Sequence, residues 1–404
     1  MNPRTAGLVA LAGVLGWVGL IWLGIQLYST NPRTAGFDLE LLLRAGRDVA
    51  SQISPYDQRM VAGAAPVAER LFYSYPPVVA EVMALFAWIP SPVMFVAWTA
   101  AAVAGLGFVT RALAARVDAS VGASPAVVAI TVMALAPLMF PLAIGLLFGN
   151  LDVFFPLLFG LALVGVLPGA SPSDATRSGV AVSVATLAKL HPGSIGLWLL
   201  ARSARPGATT VRRALVAAAL TLIVVLVVDV AIFWPLWTDY AAIVRAGSGA
   251  DLVDPRNAGP AAQLAMLLIG SGPDAEALAR TLQIPVTLVA LLASAVVAVR
   301  LADPVESLAW AAAASLVVLP VTWYHYPSAL IPFAIVAFLR AGALGHAAAQ
   351  PARLTVAAAA VVGAVAIAWL PLLYVAIGLV LLAVRMSRPA RDAASAAAPL
   401  SAAA

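Results

Sequence analysis

Two carboxylates, Asp38 and Glu40, stand two residues apart in a polar stretch that follows the first apolar run of an otherwise hydrocarbon-rich chain. The stretch holds Phe37-Asp38-Leu39-Glu40, then Ser54-Pro55-Tyr56-Asp57, then Phe72-Tyr73-Ser74-Tyr75-Pro76-Pro77. A carboxylate at a membrane face suits proton abstraction from a hydroxyl, which sugar transfer onto an alcohol requires. Desolvation beside lipid raises its pKa and nearby cations lower it, a balance that keeps it ionised yet basic. The plainer reading of the pair is a helix cap and a solvated charge.

Lys189-Leu190-His191-Pro192 lies within an apolar run and contains the chain's only lysine. An ammonium at membrane depth is costly and marks a functional site by default, here one that could hold a lipid phosphate. Pro192 interrupts the helix and frees backbone groups. The structural alternative is snorkelling, or an ion pair with Asp152 or Asp229. His325 stands between Tyr324 and Tyr326 at the end of another apolar run, where an imidazole could stabilise a phosphate leaving group or orient Asp38. Tyr73 and Tyr75 with Pro76 and Pro77 read either as an ordinary interfacial helix start or as an aromatic wall for a sugar ring. Gly149-Asn150 with Asp152, and Asn257-Ala258-Gly259, read as turns first and binding elements second.

These residues must be carried by a membrane scaffold. Hydrophobic residues make up 63% of the 404 and charged residues 10%, with a mean hydropathy of +1.00. That composition belongs to polytopic membrane proteins. Long continuous apolar runs, not alternation, exclude a β-barrel. The absence of cysteine excludes disulfides and thiolate chemistry. The net charge of +5 is scattered, with no aromatic-interleaved basic patch, so no nucleic-acid partner is expected. No Walker, zincin or dinucleotide fingerprint occurs, so ATP hydrolysis and zinc proteolysis have no support.

The apolar runs predict about twelve spans, including 75–90, 125–143, 150–168 and 178–201. With the N-terminus inside, Arg202, Arg205, Arg212, Arg213, Arg340, Arg353, Arg385 and Arg388 fall on the inner side, and the loops 29–74 and 237–278 fall outside. Arg111 and Arg116 disagree, which implies a count off by one span, or a re-entrant piece, near 75–125. Apolar residues at 39, 42, 43, 46, 49, 50 and 53 predict an amphipathic helix in the membrane interface, started by Asp38 as a cap and ended by Pro55. The Ala- and Ser-rich end, 391–404, is expected to be a disordered tail behind a single domain, 1–390.

In order, the chain offers an initial helix, an outer-loop Asp, Pro-Tyr-Asp, Tyr-Pro-Pro, Gly-Asn-x-Asp, Lys-x-x-Pro and a late His among aromatics. This resembles the polytopic GT-C glycosyltransferases, specifically the family 87 group of bacterial polyprenyl-phosphate-sugar-dependent enzymes. The resemblance implies an all-α GT-C fold with an outer-face amphipathic helix. It implies that Asp38 is the catalytic aspartate and that Tyr56 is the loop tyrosine after it. Tyr75, Pro76 and Pro77 match the Tyr-Pro-Pro element, Lys189, His191 and Pro192 the Lys-x-x-Pro element, and His325 the late histidine. Leu42 stands where a tyrosine often follows the aspartate, and Gly149-Asn150 where many relatives have Gly-Gln.

The expected reaction moves a sugar, mannose before arabinose, from polyprenyl phosphate to a glycolipid or lipoglycan acceptor at the outer face of the plasma membrane. Asp38 would act as the base in a single inverting displacement. Lys189 with His191, and His325 or Arg256, would stabilise the phosphate, and Glu40, Tyr56, Tyr73, Tyr75, Tyr324 and Asn257 would line the substrate. No cofactor and no metal are expected. The rival from another class is a transporter or flippase, with Glu81, Asp152, Asp229 and Lys189 as its path.

Overall fold

The computed structural model describes residues 3–31, 34–63, 73–117, 124–247, 252–344 and 346–388. Phe72 and the tail 391–404 lie outside the described residues. Every regular element among the described residues is helical. In chain order the α-helices are α1 (Pro3–Thr30), α2 (Phe37–Ala50), α3 (Gln58–Val61), α4 (Pro77–Ala84), α5 (Ser91–Arg116), α6 (Pro125–Leu135), α7 (Phe140–Phe148), α8 (Phe155–Val164) and α9 (Pro172–Ala188). They continue as α10 (Ser194–Ser203), α11 (Thr209–Gly247), α12 (Pro260–Ile269), α13 (Pro273–Arg300), α14 (Pro304–Ser315), α15 (Ile331–Ala341), α16 (His346–Val365) and α17 (Leu372–Met386).

Four stretches are long and apolar enough to cross a membrane: Ala6–Thr30, Ser91–Arg116, Thr209–Arg245 and Pro273–Arg300. Pro125–Leu138 and Phe140–Phe148 together form a fifth, bent by 71°. Shorter apolar helices pack among them, so among the described residues four or five spans of full length stand where about twelve are expected. Proline accounts for several breaks: Pro137 sits at the bend before α7, and Pro192 follows the stop of α9. Pro235 lies two residues beyond Phe233, whose non-helical φ/ψ kinks α11.

The segment 75–90 does not span. Helix α4 has eight residues, about 12 Å of rise, against the ~30 Å of a bilayer core. Ser91, at the start of α5, donates to Glu40 on α2 at 2.6 Å. Helix α5 therefore begins at the Asp38 end of the bundle and carries Arg111 and Arg116 to the other end. This resolves the disagreement over those two arginines.

At that other end arginines meet carboxylates and helix ends. Arg116 pairs with Asp174 at 2.7 Å, and Arg340 with Asp303 at 2.7 Å. Arg388 pairs with Glu306. Arg202 donates to the carbonyls of Ala298, Leu301 and Ala302 and so closes the end of α13, where the last carbonyls lack intrahelical partners.

The amphipathic helix exists but ends earlier than the Pro55 signal implies. Its apolar face buries Leu39, Leu42, Leu43 and Gly46. A Cβ at Gly46 would fall 2.5 Å from the Met83 carbonyl carbon, so only glycine permits α2 to lie this close to α4. The helix stops at Ala50 because Gln52 takes the left-handed conformation, φ 59°. Ile53 N–H then donates to Asp48 O and Gln52 N–H to Val49 O, which closes the end as a Schellman motif.

The buried Arg340–Asp303 pair predicts a sharp stability effect. Arg340→Leu leaves a carboxylate buried without its cation, which costs about 3–5 kcal/mol. The exposed Arg280–Glu276 pair on α13 is worth about 0.3–0.5 kcal/mol. Thermal unfolding in detergent is expected to fall strongly for Arg340→Leu and scarcely for Arg280→Leu.

Candidate functional site

The site is assembled where α2 starts and α7 stops. Gly149, φ 68°, ends α7: Asn150 N–H donates to Gly145 O at 2.8 Å and Gly149 N–H to Leu146 O at 3.2 Å, a Schellman closure. Asn150 at once caps the next turn, its Oδ1 accepting from Asp152 N–H at 2.9 Å. Gly-Asn-x-Asp is therefore a helix stop followed by a helix start. The beginning of α2 rests on this turn. Gly36 N–H donates to Leu147 O at 2.9 Å, and a Cβ at Gly149 would lie 2.6 Å from the Leu39 Cβ.

Asp38 does not cap its own helix. The cap position is Gly36, and no side chain bonds the free N–H groups there. Instead the Asp38 carboxylate accepts from Asn150 Nδ2 at 2.7 Å. Burial pushes its pKa above the ordinary carboxylate value; the Asn150 hydrogen bond and the Lys189 charge pull it back, and Asp152 adds to the rise. Glu40, two residues on, is turned about 200° around the helix, so both carboxylates cannot face one pocket. Glu40 is exposed, pairs with Arg47 and accepts from Ser91.

The Lys-x-x-Pro element breaks the chain as Pro192 implies. Lys189 is extended, φ −160° and ψ 130°, between α9 and the single 3₁₀ turn at His191–Gly193. Its ammonium meets both oxygens of the fully buried Asp152, at 3.1 and 2.9 Å. It also lies 3.7 Å from the centre of the Tyr326 ring and 5.8 Å from that of Tyr75. Between the two readings weighed for Lys189, the structure supplies the ion pair with Asp152 and puts that pair beside Asp38. His325 Nε2 lies 3.3 Å from Asp152 Oδ2 without hydrogen-bond alignment. His191 is buried and stacks on Tyr326, ring centres 5.5 Å apart and planes at 10°, so it backs the ring that faces the ammonium.

Other expected substrate residues serve the frame. Tyr56 and Tyr73 are buried with rings 5.5 Å apart; their hydroxyls donate to Tyr75 O at 2.9 Å and Pro76 O at 3.1 Å. They hold half-buried Tyr75 toward Lys189. The loop bearing Tyr56 is in turn held by Asp239 on α11, which accepts from Ser54 Oγ at 2.6 Å and Gln58 Nε2 at 3.2 Å. Asn257 is fully buried as a staple: it donates to Leu252 O and Pro320 O and accepts from Gly259 and Thr322 N–H. Arg256 is exposed and bound to Asp254, near Trp323. Tyr324 packs with a small separate cluster around Ala258, Ala366 and Leu373. The structure thus brings together Asp38, Lys189, His325 and Tyr75, adds Asn150, Asp152 and Tyr326, and places Glu40, Asn257, Arg256 and Tyr324 elsewhere.

An all-helical membrane protein gathers a half-buried carboxylate, an ammonium and aromatic rings at one end of its bundle. The family profile of glycosyltransferase family 87 matches residues 73–323, more than half of the chain, and the chain belongs to that family. It is a membrane glycosyltransferase, using a sugar donor and an acceptor, and the transporter reading is set aside. No curated protein and no solved structure gives a match. Lys189, Asn150, Asp152 and Tyr75 lie inside the matched stretch; Asp38 precedes it and His325 follows it by two residues.

Gly149→Ala tests the turn. Left-handed φ alone costs a residue with a Cβ about 1–2 kcal/mol, and here the new methyl also meets Leu39. Gly63 has a similar φ of 71° and nothing within 4 Å of its Cβ position. The melting temperature in detergent is expected to drop further for Gly149→Ala than for Gly63→Ala.

Proposed function

We propose that this glycosyltransferase moves mannose from polyprenyl phosphate to a hydroxyl of a glycolipid or lipoglycan at the outer face of the plasma membrane, inverting the anomeric centre, within one GT-C domain over 1–390. The observation that carries the reading is the placement of a half-buried carboxylate, Asp38, within electrostatic reach of the Lys189–Asp152 ion pair. In the reaction the acceptor O–H gives its proton to Asp38 while its oxygen forms a bond to the anomeric carbon. The bond from that carbon to the phosphate oxygen breaks, and the phosphate leaves with the electron pair and one more negative charge. Lys189, steadied by Asp152 and Tyr326, stands near that growing charge and favours the transition state over the bound donor. His325 adjoins the Asp152 carboxylate. Tyr75 and Tyr326 supply ring faces for the sugar.

Orientation follows from charge. The arginine-rich end faces the cytoplasm by the positive-inside rule, which leaves the Asp38 end outside. A donor with a lipid tail needs an apolar approach. A groove of about 580 Å³ between α1 and α7 is lined by Leu20, Leu23, Pro137, Phe140 and Ile144. Ile144 is five residues before Gly149, about 7–8 Å along the helix axis, so a tail in this groove would bring its phosphate toward the Asn150 turn.

The test supplies membranes containing the full chain with radiolabelled polyprenyl-phosphate-mannose and candidate glycolipid acceptors. Asp38→Asn is expected to express normally and lose about 10²–10⁴-fold in transfer; transfer at the wild-type rate rules out Asp38 as the base. Because the Asp38 pKa is raised, its basic form disappears as pH falls through that raised value. The acid limb of the rate profile should therefore inflect above the ~3.9 of a free aspartate. Label transferred from polyprenyl-phosphate-arabinose alone would replace mannose by arabinose.

A further inference from the structure

Asn150 is nearly fully buried, 3% exposed, and its amide is committed at both ends. Nδ2 donates to Asp38 at 2.7 Å and Oδ1 accepts from Asp152 N–H at 2.9 Å. The second bond settles which end of the amide faces Asp38, because a backbone N–H accepts nothing. The segment itself is pinned: Trp98 Nε1 donates to Asn150 O at 3.4 Å, and Ser328 Oγ to Asp152 O at 3.1 Å. Two residues on, Asp152 takes the Lys189 ammonium.

We propose that Asn150 is a positioning residue for Asp38, a fixed amide donor that sets the direction of the carboxylate, and that the three-residue run Asn150-Leu151-Asp152 holds Asp38 and Lys189 in one register. The inference rests on the reading of Asp38 as the base. Anchors two residues apart, Asn150 and Asp152, tie the base and the cation to one short piece of backbone. A free carboxylate would turn about χ2, a broad two-fold torsion, and a base must lie within hydrogen-bond reach of the proton it takes. The charged and titratable groups facing Asp38 are Lys189 after α9, Asp152 after α7, Tyr75 before α4 and Tyr326 after α14. Tyr75 and Tyr326 are neutral donors too, but among the described residues the side-chain hydrogen bond to Asp38 comes from Asn150, and that bond lowers the Asp38 pKa.

The experiment reads Asp38 without any sugar. A hydrophobic carbodiimide modifies protonated carboxyl groups, so the pH midpoint of Asp38 labelling, followed by peptide mass spectrometry on the full chain in detergent, reports its pKa. Asn150→Ser keeps a side-chain oxygen to cap Asp152 N–H but is too short to reach Asp38. Its labelling midpoint is expected to rise by about one pH unit. Asn150→Asp, of the same shape, keeps the cap and brings a second carboxylate to Asp38; its midpoint should rise further, and it carries the test if the serine variant does not fold. In the transfer assay, Asn150→Ser is expected to lower kcat by about tenfold or more with the donor KM little changed, whereas a lesion of the fold would alter the melting temperature as well. A folded variant with an unmoved labelling midpoint overturns the proposal. A shifted midpoint in the variant, with a wild type that transfers no mannose, keeps the Asn150 clamp and removes the sugar reading; mannose transfer by the wild type with no shift in the variant does the reverse.

Discussion

Lys189 and Asp152 hold each other inside the end of an apolar bundle, and neither charge could stay there alone. Removing one partner of such a pair leaves a buried ion that costs about 3–5 kcal/mol. The pair therefore needs both of its supports. Pro192 stops α9 so that Lys189 is extended and turned toward the site, and Gly149 stops α7 so that Asp152 comes within 2.9 Å of it. Tyr326 closes the ammonium from another side, backed by His191. The same turn that delivers Asp152 delivers Asn150 to Asp38. The two helix breaks thus assemble one buried ion pair, and the same turn sets the partner of Asp38.

The surrounding helices make those breaks affordable. Backbone freed by a helix stop at membrane depth must be satisfied by protein, and here Schellman closure, the Asn150 cap, Trp98 and Ser328 do so. Tyrosines that look suited to a sugar wall are instead pillars: Tyr56 and Tyr73 give their hydroxyls to backbone carbonyls and keep Tyr75 in place. Specific chemistry at one end contrasts with the other, where Arg202, Arg340 and Arg388 close helix ends and pair with buried acids. Charge at that end holds helices together.

Much of this was legible from residue types. Long apolar runs told of a helical membrane protein, a lone lysine before His-Pro told of a broken helix, and the 3.6-residue spacing after Asp38 told of an amphipathic helix. What sequence could not show was direction and partnership. Asp38 and Glu40 look alike as a pair, and only the helical turn of about 200° separates their faces. Gly149-Asn150-Leu151-Asp152 reads as an ordinary turn until α2 is seen resting on it, because the contact joins residues 112 apart in the chain. Asn257 looked available for ligand, but its four backbone partners come from two loops that periodicity does not connect. The end of α2 was missed for a local reason: a non-glycine residue, Gln52, takes the left-handed turn before Pro55 can act.

The central claim is that the base and the leaving-group cation belong to one reaction centre. It is tested most directly by an experimental structure of the full chain with polyprenyl phosphate, the expected second product, bound in lipid nanodiscs. The account predicts a phosphate oxygen within hydrogen-bond distance of Lys189 Nζ, with Asp38 on the opposite side of the space the sugar would fill and the tail running into an apolar groove. A phosphate held instead at the arginine-rich end, with Lys189 still closed on Asp152 and Asp38 facing no ligand, would contradict it.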